Sequence, residues 1–411
     1  MRKVIRAIFF AASTLSVIIL SAVAILKTTV PDEFYFSEKG FIEKNLGYGL
    51  SITVADTDFV PASVTGENDD KNFANVTFLG IFPVKLVDIS KQDRTYVVAS
   101  GKPFGIKMYS DGVLVVSIAD VQTSSGSKSP ARDSGLKVGD IIKSINGSLV
   151  YKTEETASAI EQSAGQELIL EVVREGKNLL LTLKPEKLEG QNVYKAGFWV
   201  RDSCAGIGTM TFYNVQTNCF AGLGHAVCDV DTGAILEIKS GEIVPANITG
   251  VYKGVSGSPG ELCGVFSTDK AIGKIIGNTE SGIYGFMNES LYGTEIPVAF
   301  KQEIETGKAQ ILTTINGETP QYYDIEIVKI NLNSTSVQKN MVIKITDEKL
   351  IESTGGIVQG MSGSPIIQNG MLVGAVTHVF VNDPQRGYAI FAENMLNTTN
   401  SVEENQLKIA S

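Results

Sequence analysis

Histidine is nearly absent from this chain: its 411 residues include only His225 and His378. Chemistry that needs an imidazole therefore has two places to act. One tryptophan stands against 41 glycines, and long helical patterns are few, so the architecture is expected to be β-rich. No basic block lies beyond the extreme N-terminus, and the net charge is −10, which argues against nucleic-acid binding. The four cysteines, Cys204, Cys219, Cys228 and Cys263, include no Cys-x-x-Cys pair and have no spare histidine beside them. A zinc site is not expected there, nor is any other metal or cofactor. Three disulfide pairings, or free thiols, remain open. Charged residues are only 19%, but hydrophobic ones are 43%, which suits ordered domains, and the length allows two or three.

At the start of the chain, Arg2, Lys3 and Arg6 precede an uncharged, mostly apolar run over residues 7–26 that closes at Lys27. Such a run is long enough to cross a bilayer, and its basic flank favours the cytoplasmic side. Residues 1–28 are read as a signal peptide or a membrane anchor; Ser21-Ala22-Val23-Ala24 is small enough for signal peptidase. Either reading places the rest of the chain outside the cytoplasm, and without those four basic residues that part is more acidic than the whole. Residues 29–98 read as a leader of little definition. Within it, residues 55–75 form an exposed linker and residues 78–87 a strand.

Residues 99–187 carry an ordered set of pieces resembling a PDZ domain. Pro103-Phe104-Gly105-Ile106 matches its carboxylate-binding loop, so Phe104, Gly105 and Ile106 are expected to cradle a peptide C-terminus, that of a partner or of the chain itself. Gly139-Asp140-Ile141-Ile142, Ile145-Asn146-Gly147, a helix over 156–163 and a strand over 168–174 follow. Residues 190–400 then read as short strands divided by turns, a sandwich or barrel pattern, and residues 401–411 as a polar tail.

Two turns in this last region stand out. Gly360-Met361-Ser362-Gly363-Ser364-Pro365 precedes an apolar hairpin, the way trypsin-like proteases present a nucleophile. The amides of Gly360 and Ser362 can point at one oxyanion. The other turn, Gly222-Leu223-Gly224-His225, carries the histidine upstream of that serine. A serine hydroxyl needs a base, and His225 is the candidate. Val255-Ser256-Gly257-Ser258-Pro259 nearly repeats the serine turn but lacks the following apolar strand, and reads as structural. Ser364 falls outside the Gly-x-Ser-Gly frame. Asp229 and Asp231 read as turn chemistry, and His378 as a wall of the cleft or a structural residue.

The chain resembles the stage IV sporulation protein B peptidases (peptidase family S55) of spore-forming bacteria. The resemblance is carried by Arg201-Asp202-Ser203, residues 206–209, 222–233 and 258–261, and above all 354–368 and 374–384. It implies a trypsin-like pair of six-stranded β-barrels, self-processing, and Asp347 as the acid that orients His225. Ordinary trypsin-like proteases carry that acid in the first barrel, and by that spacing Asp269 is the rival. The resemblance further implies an exported serine endopeptidase acting in the space between forespore and mother-cell membranes. There it would cut a membrane-bound regulator of an intramembrane protease, leading to activation of a late mother-cell sigma factor. The alternatives are a PDZ-containing quality-control protease, in which the PDZ normally follows the protease, and a catalytically idle PDZ scaffold.

Overall fold

The computed structural model of the chain describes residues 2–37, 43–47, 49–54, 72–268 and 270–410. The apolar run folds as one helix, Arg2–Thr29. Its stretch Ile8–Thr29 has a mean hydropathy of 2.4 and is largely exposed, with Val23 and Leu26 near its end packed on the sheet that follows. A helix of this length and character fits a signal anchor or membrane association.

The expected leader holds a five-stranded sheet instead: Glu33–Phe36, Glu43–Gly47, Leu50–Val54, Asn72–Phe78 and Phe82–Lys91. Phe34, Ile52, Val76 and Val87 form its core. One edge comes from a parallel pairing of Glu33–Phe36 with the distant end of Phe82–Lys91, which no local pattern announces. Residues 78–87 are not a single strand, because Leu79 and Gly80 adopt positive φ and turn the chain between two of the strands. Of the expected linker, residues 55–71 lie outside the described residues.

Two six-stranded barrels follow. The first is built from Pro103–Ile118, Phe198–Tyr213, Cys219–Gly222, Ile238–Tyr252, Gly273–Thr279 and Gly282–Met287, and closes where Pro103–Ile118 pairs with Phe198–Tyr213. The second is built from Gly307–Thr313, Gln321–Ile330, Met341–Ile345, Pro365–Gln368, Met371–Phe380 and Asp383–Phe391. Numbering the strands of each barrel by chain order, both run 1-2-3-6-5-4 around the ring. Closure removes the sheet edges that would otherwise need cover. Alternating apolar positions fill each interior, such as Phe104, Ile106, Met210 and Ile243 in the first and Ile311, Ile325, Ile343 and Val376 in the second. The closing helix Ala392–Ala410 takes in the expected polar tail. Met395, Leu396 and Val402 give it an apolar face on Tyr284 and Ile390, which the polar composition of residues 401–411 conceals.

The PDZ unit emerges from the first barrel. The strand Pro103–Ile118 enters that barrel with its first half and the PDZ core with its second, where Val113 and Val115 pack with Ile142, Leu170 and helix Thr153–Gln162. Phe198–Tyr213 returns along it from Phe198↔Ile118 to Thr209↔Pro103, with register irregularities at residues 199–200 and 201–203. Phe104, Gly105 and Ile106 therefore do not form a carboxylate-binding loop. They lie within strand Pro103–Ile118, paired on one side with residues 206–208 and on the other with residues 243–245. A loop that cradles a carboxylate needs amides free to donate, and these sit within two ladders. Gly105 is required for another reason: a Cβ there would lie 2.5 Å from the Phe266 ring.

Candidate active site

His225 is presented by strain and clamping. After strand Cys219–Gly222, Leu223 and Gly224 both take positive φ, 67° and 69°, and throw the chain outward. Leu223 is buried, so packing holds it in a conformation that a branched side chain resists. Asn278 clamps the chain beyond the histidine: its Oδ1 accepts from Val227 N at 2.8 Å, and its Nδ2 donates to Val227 O and Leu236 O.

Ser362 is presented by the turn before strand Pro365–Gln368. Gly360 and Gly363 both have φ of 93°. At Gly363 nothing larger fits, since a Cβ would lie 2.1 Å from Thr209 O and 2.4 Å from Leu223 N. Ser364 is fully buried; its hydroxyl donates to Met361 O at 2.7 Å and lies 2.8 Å from the Thr313 hydroxyl, which makes it a brace.

Thr209 ties the two turns together. Its carbonyl accepts from Leu223 N (3.2 Å), its amide donates to Ser362 O (3.1 Å), and its hydroxyl donates to Gly360 O (2.8 Å). Thr211 Oγ1 adds a bond to Gly363 O at 2.7 Å. The amides of Gly360 and Ser362 have no acceptor among the described residues.

Ser362 Oγ donates to Thr377 O at 2.9 Å, and the next residue, His378, lies with its ring centroid 5.1 Å from that of His225. His225 Nδ1 lies 2.8 Å from Ala226 O. A carbonyl only accepts, so Nδ1 carries the proton and Nε2 keeps its lone pair. Burial pushes the His225 pKa below its ordinary value, against the opposing pull of the Ala226 carbonyl. The part of His378 packed on His225 is desolvated. That burial, then His225 and Lys339, push its pKa down to about 4, so it is neutral at pH 7. The two histidines line an open cleft of about 410 Å³ with Ala226, Cys228, Glu280 and Gln338. Its far wall is bonded to the serine side: Thr377 Oγ1 donates to Gln338 O (2.8 Å) and Gln338 Nε2 to Glu280 O (2.6 Å).

Asp347 is not brought to His225. It is the N-cap of helix Glu348–Thr354, accepting from Leu350 N at 3.0 Å. In the sheet, His378 pairs with Tyr388 and Tyr388 with Val342, so Asp347 lies five residues further along, about 16 Å at strand spacing. An aspartate before a helix is a natural cap, and that role accounts for it here. Asp269 lies outside the described residues. Asp229 does serve turn chemistry: it accepts from the amides of Asp231 and Thr232 and pairs with Arg201. Burial works against its carboxylate, but the hydrogen bonds from Thr232 and Arg201 outweigh that and hold its pKa below the usual range. Ser256 is exposed and donates to Asn382 O. All four cysteines are free thiols.

Glu280, which the sequence reading did not single out, also lines the cleft. It lies on the turn between the fifth and sixth strands of the first barrel, and among the described residues its carboxylate has no hydrogen bond or ion pair. A lone acidic residue in a Thr-Glu-Ser-Gly turn gives no signal by itself; only the barrel topology directs attention to it.

Residues 192–396 match the family model described as SpoIVB peptidase S55, and residues 121–174 match one described as PDZ domain. A protein of Lactococcus lactis subsp. lactis (strain IL1403) named as a zinc metalloprotease is 40% identical over 68 residues. That match spans 16% of this chain and 15% of the relative's length. The solved PDZ domain of the SdrC-like protein from Listeria monocytogenes is 23% identical, with a TM-score of 0.18, and the match covers 22% of this chain and 87% of that one.

Proposed function

The chain belongs to the SpoIVB peptidase S55 family through residues 192–396, and on that premise we propose an exported serine endopeptidase that processes itself. Ser362 attacks the scissile carbonyl. His225 Nε2 takes its proton and returns it to the leaving amine. The unpaired amides of Gly360 and Ser362 receive the oxyanion; losing one such donor typically costs on the order of 100- to 1,000-fold in rate. The roles of the acid are divided: the Ala226 carbonyl fixes the imidazole tautomer, and Glu280 supplies the negative charge across the cleft. The chain order His225, Glu280, Ser362 and the first-barrel position of Glu280 support that assignment over Asp347. The observation that carries the reading is the single residue, Thr209, that holds both turns.

A peptidase domain and a PDZ domain both take protein or peptide chains. The membrane-associated helix and the family favour regulatory cleavage of a membrane-bound partner in sporulation signalling. The test is to express the full chain with and without Ser362→Ala and follow its mass. Self-trimming of the wild type alone supports the reading. Identical trimming of both, or of neither, sinks self-processing by Ser362.

A further inference from the structure

We propose that His225 and His378 together form a binding site for zinc or a similar transition-metal ion, and that occupancy switches the peptidase off. The two histidines are the chain's entire supply, and the fold brings them from different barrels to one cleft. Their ring centroids are 5.1 Å apart, with planes inclined by 40°. With Zn–N bonds of about 2.0–2.1 Å and a tetrahedral angle, two imidazoles on one zinc have centroids about 5 Å apart. The centroid separation that a shared zinc ion needs is therefore already present.

The donor atoms are available. The Ala226 carbonyl engages Nδ1 of His225 and leaves Nε2 open. Neither ring nitrogen of His378 has a hydrogen-bond partner among the described residues, and its ring is exposed to the cleft. Among the described residues no three His, Cys, Asp or Glu side chains converge on one point. The ion would keep water in its remaining positions, which makes binding reversible and weaker than in a structural zinc site. Imidazole donors select zinc, copper or nickel over magnesium and calcium, which prefer oxygen. The inhibitory step is a competition for one lone pair: Nε2 of His225 cannot hold a metal and accept the Ser362 proton together.

Binding and inhibition are tested separately, because only inhibition rests on the peptidase reading. Full-length chain carrying Ser362→Ala, in detergent, is titrated with zinc chloride by calorimetry, with magnesium chloride as control. One zinc per chain is expected, with affinity lowered about tenfold or more by either His378→Gln or His225→Gln. Zinc should also raise the Tm of the Ser362→Ala chain and leave that of each histidine variant unmoved, which checks that the variants are folded. Absence of zinc binding, or binding indifferent to both substitutions, overturns the proposal whatever the peptidase does. On the wild type, zinc should halt self-trimming and a chelator restore it; trimming that continues with the site filled overturns the switch and leaves the binding result standing.

Discussion

The tetrapeptide Ser-Gly-Ser-Pro occurs twice, at residues 256–259 and 362–365, and has two different fates. At 256–259 it is an exposed turn closed by a bridge between Val255 and Ser258, and a Cβ on Gly257 would meet nothing within 4 Å. At 362–365 it is pinned from three sides: by Thr209 and Thr211, by Val376 through Gly363 N at 2.8 Å, and by Thr313 through Ser364. A motif of small residues specifies only that the chain can turn. What aims the serine is the buried strand after it and the neighbouring barrel's strand laid across it.

Seven substitutions, three of them controls in the 256–259 copy, would break or sharpen this contrast. The largest effect is expected from Ser362→Ala, which should lower self-cleavage on the order of 10⁴- to 10⁶-fold and abolish fluorophosphonate labelling. Ser256→Ala should leave both within twofold. Next is Gly363→Ala, where the new methyl collides with two backbone atoms. A loss of about 3 kcal/mol or more, read by denaturant unfolding, is expected, together with loss of labelling. Gly257→Ala meets no neighbour and pays only for its positive φ of 87°, about 1–2 kcal/mol. Ser364→Ala leaves a buried brace unmade and should cost about 1–3 kcal/mol, whereas exposed Ser258→Ala should stay within about 0.5 kcal/mol. The smallest effect is Asp347→Ala: loss of a cap worth about 1 kcal/mol, with activity kept within about tenfold. A loss of activity comparable to that of Ser362→Ala would return Asp347 to the catalytic group.

The serine and histidine turns could be read from the sequence because glycine, at positions such as Gly363 and Gly224, marks places where the backbone must bend tightly. Most of the barrel strands were legible from their apolar alternation. Phe104, Gly105 and Ile106 were misread because a short apolar stretch with a glycine suits a loop and a crowded strand equally; only Phe266 and the two flanking ladders decide between them. The cap at Asp347 was not legible because an aspartate before a helix looks the same as a cap or as an acid. The sheet of residues 33–91 escaped because pairing Glu33–Phe36 with the end of Phe82–Lys91 is a long-range event with no local signature. Glu280 and the meeting of the two histidines exist only once both barrels are closed.

The strand Phe198–Tyr213 has a mechanical consequence. It is paired with Pro103–Ile118 in two runs, residues 198–201 beside the PDZ core and residues 203–209 in the barrel, the second ending at Thr209. Sliding either run by a single residue would turn its inward side chains outward, so the register of each is fixed. The PDZ unit is thus a handle welded to the frame rather than a bead on a string. Cutting it away would shorten two neighbouring staves of the first barrel, one of which carries Thr209.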